Sequence, residues 1–480
     1  MEEDYKSTQL PEIVSSEAIS DTVGILIEEN VSNGRKMYIA AIASLFTGLV
    51  AGFISGYSAP ATYDMTTNEN SPIFPTDDEI TWIGSVVSAG VMVGGLCAGP
   101  LSDKIGRKNT IVYNTIPLLT GWLIISMAED ATEVIIGRLL TGIGCGVAIV
   151  AVPTYCVEIS TAGVRGLLGS AFQGFLVTGN FFVVFIGSYV SWHILALAGA
   201  GFTAFAFFCF LPMPESPRWL LAKGKLNLAI NVMQKLQGAS VNAAEECNAI
   251  YEDLKNERKG RLSLNEMKHP TVYKPALIAV GLMFFQQFSG LMVIFGYSTK
   301  IFDIAKSFLN PKKATIIIGA VQVIATITSN LIVDKAGRKI LLIISGLLMS
   351  ASLVSLGTYY YLSFEKPGFQ ETYDWIPLVS LIAYVIAYSI GFGPIPAFIA
   401  AEMVPVRARS TISGIVIFHC GLFGFIVMKT FIQLGDLIGS YGTFWLYSVV
   451  ALIGVFFVIF LVPETKGKKL EDISKLFVKS

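Results

Sequence analysis

The chain has 480 residues, of which 53% are hydrophobic and only 14% are charged. Average soluble domains carry about 25% charged residues, so this composition excludes an ordinary soluble protein of this length. The formal net charge is −1 and the six cysteines lack paired metal-type spacing, so we expect no cofactor, no metal and no nucleic-acid partner.

Long apolar runs separated by charged breaks predict membrane-spanning helices. A run of about 20 apolar residues crosses a bilayer as a helix, because helical backbone groups satisfy one another without water. The predicted spans in the first half are 37–57, 80–101, 110–128, 134–156, 166–188 and 193–212. Those in the second half are 274–302, 313–333, 340–362, 375–401, 410–433 and 441–462.

Charges at the span ends predict the orientation. Lys and Arg side chains follow the second and eighth spans, whereas the loops at 58–79 and 129–133 contain several acids and no Lys or Arg. By the positive-inside rule, both termini are expected in the cytosol. The expected organisation is a cytosolic tail at 1–35, a six-helix bundle at 36–212, a cytosolic helical linker at 213–273, a second six-helix bundle at 274–462 and a cytosolic tail at 463–480. A disordered linker is the alternative for 213–273.

Three motif pairs recur in the same order in both halves. DKIGRK at 103–108 returns as DKAGRK at 334–339, an acid and a base seven residues apart occur twice, and PESP at 214–217 is echoed by PETK at 463–466. Such internal duplication is typical of alternating-access transporters. The predicted fold class is an all-α membrane protein with twelve transmembrane helices in two pseudo-symmetric six-helix bundles.

Acids and bases alternate at the predicted cytosolic ends of the spans. One interpretation is ordinary topology-setting charge; the other is a set of ion pairs between the halves that closes the inner mouth. Exposed pairs contribute roughly 0–1 kcal/mol each, so a few would bias the two states without locking either. The candidate gate residues are Asp103, Arg107, Glu158, Arg165, Asp334, Arg338, Glu402 and Arg409.

These motifs resemble the sugar porter family of the major facilitator superfamily, which includes facilitative glucose transporters and insect trehalose transporters. The resemblance also rests on PESPRWL at 214–220, QQFSG at 286–290, GPIP at 393–396 and PETKG at 463–467, and it spans nearly the whole chain after residue 35. It implies twelve helices, alternating access and a central sugar site. It also adds Glu215, Arg218 and Glu464 to the gate residues.

Buried amides mark a candidate sugar site. A sugar presents many hydroxyls and no charge, so its site should offer amides and aromatic faces, and polar side chains at membrane depth should face the bundle interior. Interhelical hydrogen bonding is the alternative role for each amide, and the resemblance favours substrate contact for all but Asn180. The candidates are Gln173, Asn180, Gln286, Gln287 and Gln322.

Glycines and prolines predict hinges beside this site. Gly393, Pro394 and Pro396 break the tenth span, because proline removes a backbone donor and kinks a helix. Tyr388 lies earlier in that span and is expected to close on the substrate, while ordinary packing is the alternative. Tyr297 and Gly290 are the analogous aromatic and hinge in the seventh span.

Three departures from the family pattern alter the expected site. Met292 stands where sugar porters commonly have Asn, Ala397 where they have Trp, and Cys420-Gly421 where they have an Asn-Trp pair. The site should therefore be wider and less polar than a glucose site. A disaccharide, another polyol and a more apolar solute all remain open as substrates.

The residues of the first span indicate whether transport is coupled to proton movement. Ser58 follows Gly56-Tyr57 where proton-coupled relatives carry a carboxylate, and residues 37–57 contain no acid. His419 and Lys429 are taken as the only ionisable candidates within a span. We expect uncoupled, facilitative transport of a hexose or of a disaccharide such as trehalose. The alternatives are a proton-coupled symporter and a sugar-binding sensor with little transport, and no nucleophile–base pair suggests an enzyme.

The expected partners are a small neutral sugar and membrane lipid, with the chain functional as a monomer. The expected location is the plasma membrane with both termini cytosolic. A dileucine-like stretch at 21–26 favours an additional endosomal pool.

Overall fold

The computed structural model describes residues 35–161, 163–238, 242–258, 268–366, 368–404 and 408–464, and every regular element in these ranges is a helix. The stretch at 21–26 lies outside them. The first eleven helices are α1 (Arg35–Gly56), α2 (Ser58–Thr67), α3 (Asp77–Ile105), α4 (Arg107–Tyr113), α5 (Thr115–Ser126), α6 (Ala131–Ile159), α7 (Arg165–Gly187), α8 (Trp192–Phe210), α9 (Pro217–Ala222), α10 (Leu226–Gln237) and α11 (Ala243–Arg258). The others are α12 (Pro270–Phe288), α13 (Leu291–Gly296), α14 (Ser298–Ala305), α15 (Pro311–Ala336), α16 (Arg338–Glu365), α17 (Phe369–Tyr373), α18 (Ile376–Ile390), α19 (Ile395–Met403) and α20 (Arg409–Leu461).

Nine helical segments in the described ranges are long and apolar enough to cross a membrane. The expected number was twelve, and local breaks explain the difference. The third predicted span is divided between α4 and α5 at Asn114, and the seventh is interrupted where Gly290 adopts φ +87°. The last two predicted spans form one element, α20, which bends sharply at Gly439 with φ 74° and ψ 161°. The count of twelve stays a prediction.

Each half has its own apolar core. We call α1–α8 the N-terminal half and α12–α20 the C-terminal half. Trp122, Trp192 and Phe53 are fully buried in the N-terminal core, and Tyr384 and Phe302 are fully buried in the C-terminal one. Close packing of small residues is what holds apolar helices together in lipid, since hydrophobic burial cannot.

The two ends of the helices differ in charge. The basic face is the end where α4 and α16 begin, with Arg107, Lys108, Arg338 and Lys339. The acidic face is the opposite end, where α3 begins with Asp77, Asp78 and Glu79. Helix α3 runs from one face to the other, so the charges mark the two ends of a spanning element.

The halves are tied together at the acidic face. Lys429 of α20 contacts Asp78 of α3 at 2.5 Å, and Lys300 of α14 contacts Asp77 at 3.2 Å. Further along these helices, an added Cβ on Gly95 of α3 would lie 2.7 Å from Ile417 of α20, so the halves also pack against each other there. The two ion pairs therefore hold the halves together at the acidic face.

Candidate functional site

Two predicted amides join the halves at mid-height. Asn180 of α7 donates from Nδ2 to Oε1 of Gln322 on α15 at 3.0 Å, and both side chains are buried. Asn180 Oδ1 is buried and has no hydrogen-bond partner among the described residues. Gln173 lies two turns away on the same helix face, toward the basic face; it is half-buried and no hydrogen bond reaches its amide in the described part of the chain. The structure thus brings together two of the five predicted amides, Asn180 and Gln322.

A second cluster surrounds Gly424 of α20. An added Cβ on Gly424 would lie 3.3 Å from Ser88 Oγ of the N-terminal half, 3.6 Å from Gln287 Oε1 and 3.7 Å from Met292 Cγ. Gln287 donates from Nε2 to Cys420 Sγ at 3.1 Å, while its Oε1 is buried without a partner among the described residues. The space left by this glycine is therefore bordered by both halves and by a free amide acceptor.

The side chain of Gln286 contacts the break in the tenth predicted span, unlike that of its neighbour Gln287. Its Nε2 donates to the carbonyl oxygens of Phe392 at 2.5 Å and Gly393 at 3.2 Å, and to Tyr388 Oη at 3.3 Å. These groups lie at the break between α18 and α19, where the helix stops before Pro394. The amide donor of Gln286 is thus occupied in holding the break, which satisfies backbone carbonyls freed by the interrupted helix.

The tenth predicted span is interrupted as its prolines predict. Helix α18 ends at Ile390 and α19 begins at Ile395, with Pro396 in its first turn. Gly393 is packed tightly, since an added Cβ would lie 3.1 Å from Tyr388 Cε1. Ala397 is exposed on α19. Tyr388 therefore lies at the break itself.

Tyr297 closes the acidic face. It follows α13, is fully buried, stacks on Phe431 with ring centroids 5.3 Å apart and donates to the Ile80 carbonyl of the N-terminal half at 3.5 Å. An added Cβ on Gly84 would lie 2.7 Å from Tyr297 Oη. Gly290 starts α13 in the left-handed region, and an added Cβ there would lie 2.6 Å from Tyr447. The seventh predicted span therefore bends at a glycine and seals one end with an aromatic ring.

The described gate residues at the basic face pair within one half. Arg107 contacts Asp103 at 3.1 Å and Glu158 at 3.0 Å. Arg165 instead donates to the Ser160 carbonyl at 3.5 Å, and Glu158 also accepts from Ser216 Oγ. These residues therefore form no ion pair between the halves in this conformation, Glu158 pairs with Arg107 and not with Arg165, and the gate between the halves stays a prediction. The reason is that α4 begins beside the end of α6, which leaves Arg107 nearest to Glu158.

The internal repeat is visible in atomic contacts. Glu215 accepts from the backbone N–H of Lys108 at 2.9 Å, and Glu464 accepts from those of Arg338 and Lys339, both at 3.1 Å. Each carboxylate therefore caps the helix that follows the repeated glycine, where negative charge is favourable. Burial raises the pKa of Glu215, while those N–H bonds and the charge of Arg107 oppose the rise.

Some predicted gate residues lie outside the described side chains. Those of Asp334, Glu402 and Arg409 are not described. Arg218 lies in α9, which begins shortly after Glu215, and has an interaction partner.

Sequence reasoning missed a buried cation. Arg138 of α6 is 1% exposed and donates to the Ile54 carbonyl at 2.8 Å, the Ser58 hydroxyl at 2.8 Å and the Ile83 carbonyl at 3.4 Å. Its guanidinium also lies 5.2 Å from the centre of the Tyr57 ring. The expectation that His419 and Lys429 are the only ionisable candidates within a span is wrong, because Arg138 falls within the predicted span 134–156. An ionisable residue inside an apolar run is itself the signal that was available.

Lys429 is not at mid-membrane but at the acidic face. Its Nζ contacts Asp78, donates to Thr81 Oγ1 at 2.8 Å and lies 4.4 Å from the centre of the Trp82 ring. His419 is half-buried, with Nδ1 2.8 Å from the Ile415 carbonyl of its own helix. Lys429 is thus a latch between the halves, and His419 is tied to its own backbone.

Taken together, two apolar helical halves that are joined by ion pairs at one face and by buried amides between them are the arrangement of a multi-pass membrane transporter. Residues 36–477 match the family described as "Sugar (and other) transporter", and the chain belongs to that family. It is a transporter of that family and not an enzyme.

Named relatives and a solved structure agree with this assignment. The facilitated trehalose transporter Tret1 of Apis mellifera ligustica is 37% identical over 441 residues, which cover 92% of this chain and 88% of the relative. The facilitated trehalose transporter Tret1 of Bombyx mori is 36% identical over 436 residues, covering 91% and 85%. The inward-open xylose transporter XylE from E. coli superposes with a TM-score of 0.77 at 23% identity, covering 92% of this chain and 99% of that one. This last likeness shows that the two chains share a fold.

Proposed function

We propose that this protein carries a neutral sugar, with the disaccharide trehalose as its substrate, by facilitated diffusion through alternating access. Its basic face is the cytosolic side of the plasma membrane, so the ion pairs between the halves close the protein toward the outside. The names of the relatives in honeybee and silkworm support the substrate and the facilitative mode.

One unpartnered amide oxygen carries the proposal. Gln287 Oε1 is buried beside Gly424, in a space that Ser88 of the N-terminal half also borders, and it lacks a partner among the described residues. Leaving a buried acceptor unpaired costs about 1–3 kcal/mol, and a sugar's hydroxyl groups are donors that would remove this cost. A substrate that contacts both halves also has a means of coupling its binding to their movement.

The replacement of expected polar and aromatic side chains by apolar or smaller ones supports a disaccharide. Met292 and Cys420 replace expected amides, and Gly421 and Gly424 contribute no side chains. An added Cβ on Gly421 would lie 2.6 Å from Met92 of α3, so no ring platform fits there in this conformation.

The partners of Arg138 support uncoupled transport. The buried guanidinium is satisfied by two carbonyls and the Ser58 hydroxyl, and none of its hydrogen bonds goes to a carboxylate. A proton-coupled carrier needs a group that gains and loses a proton during the cycle. Ser58 stands at the position where coupled relatives carry such a group, and a hydroxyl cannot perform this exchange.

The organisation proposed for the chain is two bundles, 36–212 and 274–462, joined by the linker 213–273, with both tails cytosolic and one copy sufficient for transport. Helices α9, α10 and α11 occupy the described part of the linker. Large exposed apolar side chains support lipid contact around both bundles, among them Phe208, Ile324 and Phe460.

The test is uptake into vesicles reconstituted with the purified protein. Initial rates are measured for labelled trehalose, glucose and xylose, with and without an imposed pH gradient. We expect saturable trehalose uptake whose rate does not respond to the gradient. Acceleration by an inward proton gradient would refute the uncoupled mode, and uptake of neither trehalose nor any hexose would refute the substrate class.

A further inference from the structure

A cavity of about 440 Å³ lies at the acidic face, away from the buried amides. Its volume falls in the range of roughly 300–1,000 Å³ typical of small-molecule sites. The N-terminal half provides one wall through α2 and the start of α3, and the C-terminal half provides the other through α14. The lining residues that matter here are Thr62, Tyr63, Thr66, Thr67, Asp77, Lys300 and Asp303.

The hydroxyl groups of α2 present acceptors to the cavity. Thr62, Thr66 and Thr67 each donate to a backbone carbonyl of their own helix segment, at 2.7, 2.9 and 2.7 Å. A threonine hydroxyl has one donor and two acceptor lone pairs, so what these groups still offer is acceptor capacity. Asp77 and Asp303 add carboxylate acceptors on opposite walls. Such a wall suits a ligand with many hydroxyl donors.

The charge of the cavity favours a neutral polyol over a metal ion. Lys300 contacts Asp77 at 3.2 Å, and Tyr63 Oη lies 3.5 Å from Asp303 as a donor. A cation is therefore already paired with one of the two carboxylates. In the described ranges no group of three or more His, Cys, Asp or Glu residues is placed to hold a metal.

We propose that this cavity is a second sugar site, an outer vestibule that binds the transported disaccharide from outside while the acidic face is closed. The inference rests on the proposed function, which supplies the orientation of the protein in the membrane and the identity of the ligand. Because both halves form the walls, a sugar bound here stabilises the closed acidic face. The transporter must reopen that face to take up another molecule, so external sugar at high concentration slows its own uptake.

The vestibule is tested by the dependence of uptake on external trehalose. In reconstituted vesicles the initial rate of uptake should rise with external trehalose, reach a maximum and then fall about twofold. A fall of this size is expected when sugar in the vestibule holds about half of the protein in the state that is closed at the acidic face. The double variant Thr66→Val, Asp303→Asn should keep the rising limb and lose the falling one. Thr120→Val is the matched control, since Thr120 is exposed on α5, outside the cavity, and also donates to its own backbone. A wild-type curve without a falling limb, or an equal fall in the double variant, would overturn the vestibule.

A binding measurement keeps the two proposals separate. Calorimetric titration of trehalose into purified Gln287→Ala protein, in which the central site is weakened, should still detect binding. Adding Thr66→Val and Asp303→Asn should reduce it, because the vestibule's share is lost. If uptake fails but binding is reduced in this way, the transport proposal is refuted and the vestibule is supported. If the Gln287→Ala protein and the triple variant bind trehalose equally, the vestibule proposal is refuted.

Discussion

At the scale of single residues, two adjacent amide side chains have different roles. Gln286 and Gln287 are neighbours on α12, so their side chains point about 100° apart around the helix. Gln286 donates to the break beside Tyr388, whereas Gln287 keeps a free oxygen next to Gly424. The sequence identified both as polar groups of the pathway, but it could not assign their roles, because these depend on where the broken α18–α19 segment packs.

Gln287→Ala should raise the KM for trehalose about tenfold with little change in kcat, since the lost hydrogen bond is worth about 1.4 kcal/mol. The same change at Gln433, which is exposed on α20, is the matched control. Vesicle uptake at several sugar concentrations measures both constants. An unchanged KM in Gln287→Ala would show that this amide does not contact sugar.

Ser58→Asp should make uptake responsive to a proton gradient. The new carboxylate would lie next to the guanidinium of Arg138, where Ser58 now accepts a hydrogen bond at 2.8 Å. It would supply a group that can exchange a proton during the cycle. Uptake under an imposed inward proton gradient should increase in this variant, with Ser58→Asn, which cannot ionise, as the control. Equal responses of the two variants would contradict the proposed role of this position.

At the scale of elements, turns and breaks decide the architecture. The repeated glycines Gly106 and Gly337 have φ values of +104° and +92°, a region that only glycine occupies readily. Carboxylates then cap α4 and α16 immediately after them. The duplication of these turns was evident in the sequence. The partner of Glu158 was not, because spacing along the chain favours Arg165, whereas packing of α4 on α6 brings Arg107 closer.

Gly106→Ala should lower stability by about 1–3 kcal/mol, the cost of holding a residue other than glycine in such a conformation. An added Cβ would also lie 2.1 Å from the Glu215 carboxylate. Gly99→Ala on α3 is the control, because open space surrounds that position. Thermal unfolding of the purified variants in detergent should show a lower unfolding temperature for Gly106→Ala alone. Equal unfolding temperatures of the two variants would refute this account of the turn.

At the scale of the whole molecule, the halves are held together at the acidic face. Lys429 and Lys300 of the C-terminal half contact Asp78 and Asp77 of the N-terminal half, and Tyr297 packs beneath them. The sequence predicted two halves and a closing tyrosine. It did not predict this latch, because Lys429 lies in an apolar run and its acidic partners come from the other half, far away in sequence.

Lys429→Met should shift the protein toward the state that is open at the acidic face. Its contact with Asp78 is partly exposed and worth at most about 1 kcal/mol, which corresponds to a change of about fivefold in the ratio of states. The readout is alkylation of Cys420 by a membrane-impermeant maleimide added outside intact cells, resolved by mass spectrometry. Lys313→Met, at an exposed lysine of α15, is the control. Slower or equal labelling of Cys420 in Lys429→Met would contradict a latch.

Counterflow tests alternating access most directly. Vesicles containing the purified protein are loaded with unlabelled trehalose and diluted into a trace of labelled trehalose. A carrier whose site faces one side at a time should concentrate the label inside, transiently and above its external concentration, before it declines. Label that only approaches its external concentration, or does not enter, would contradict the account.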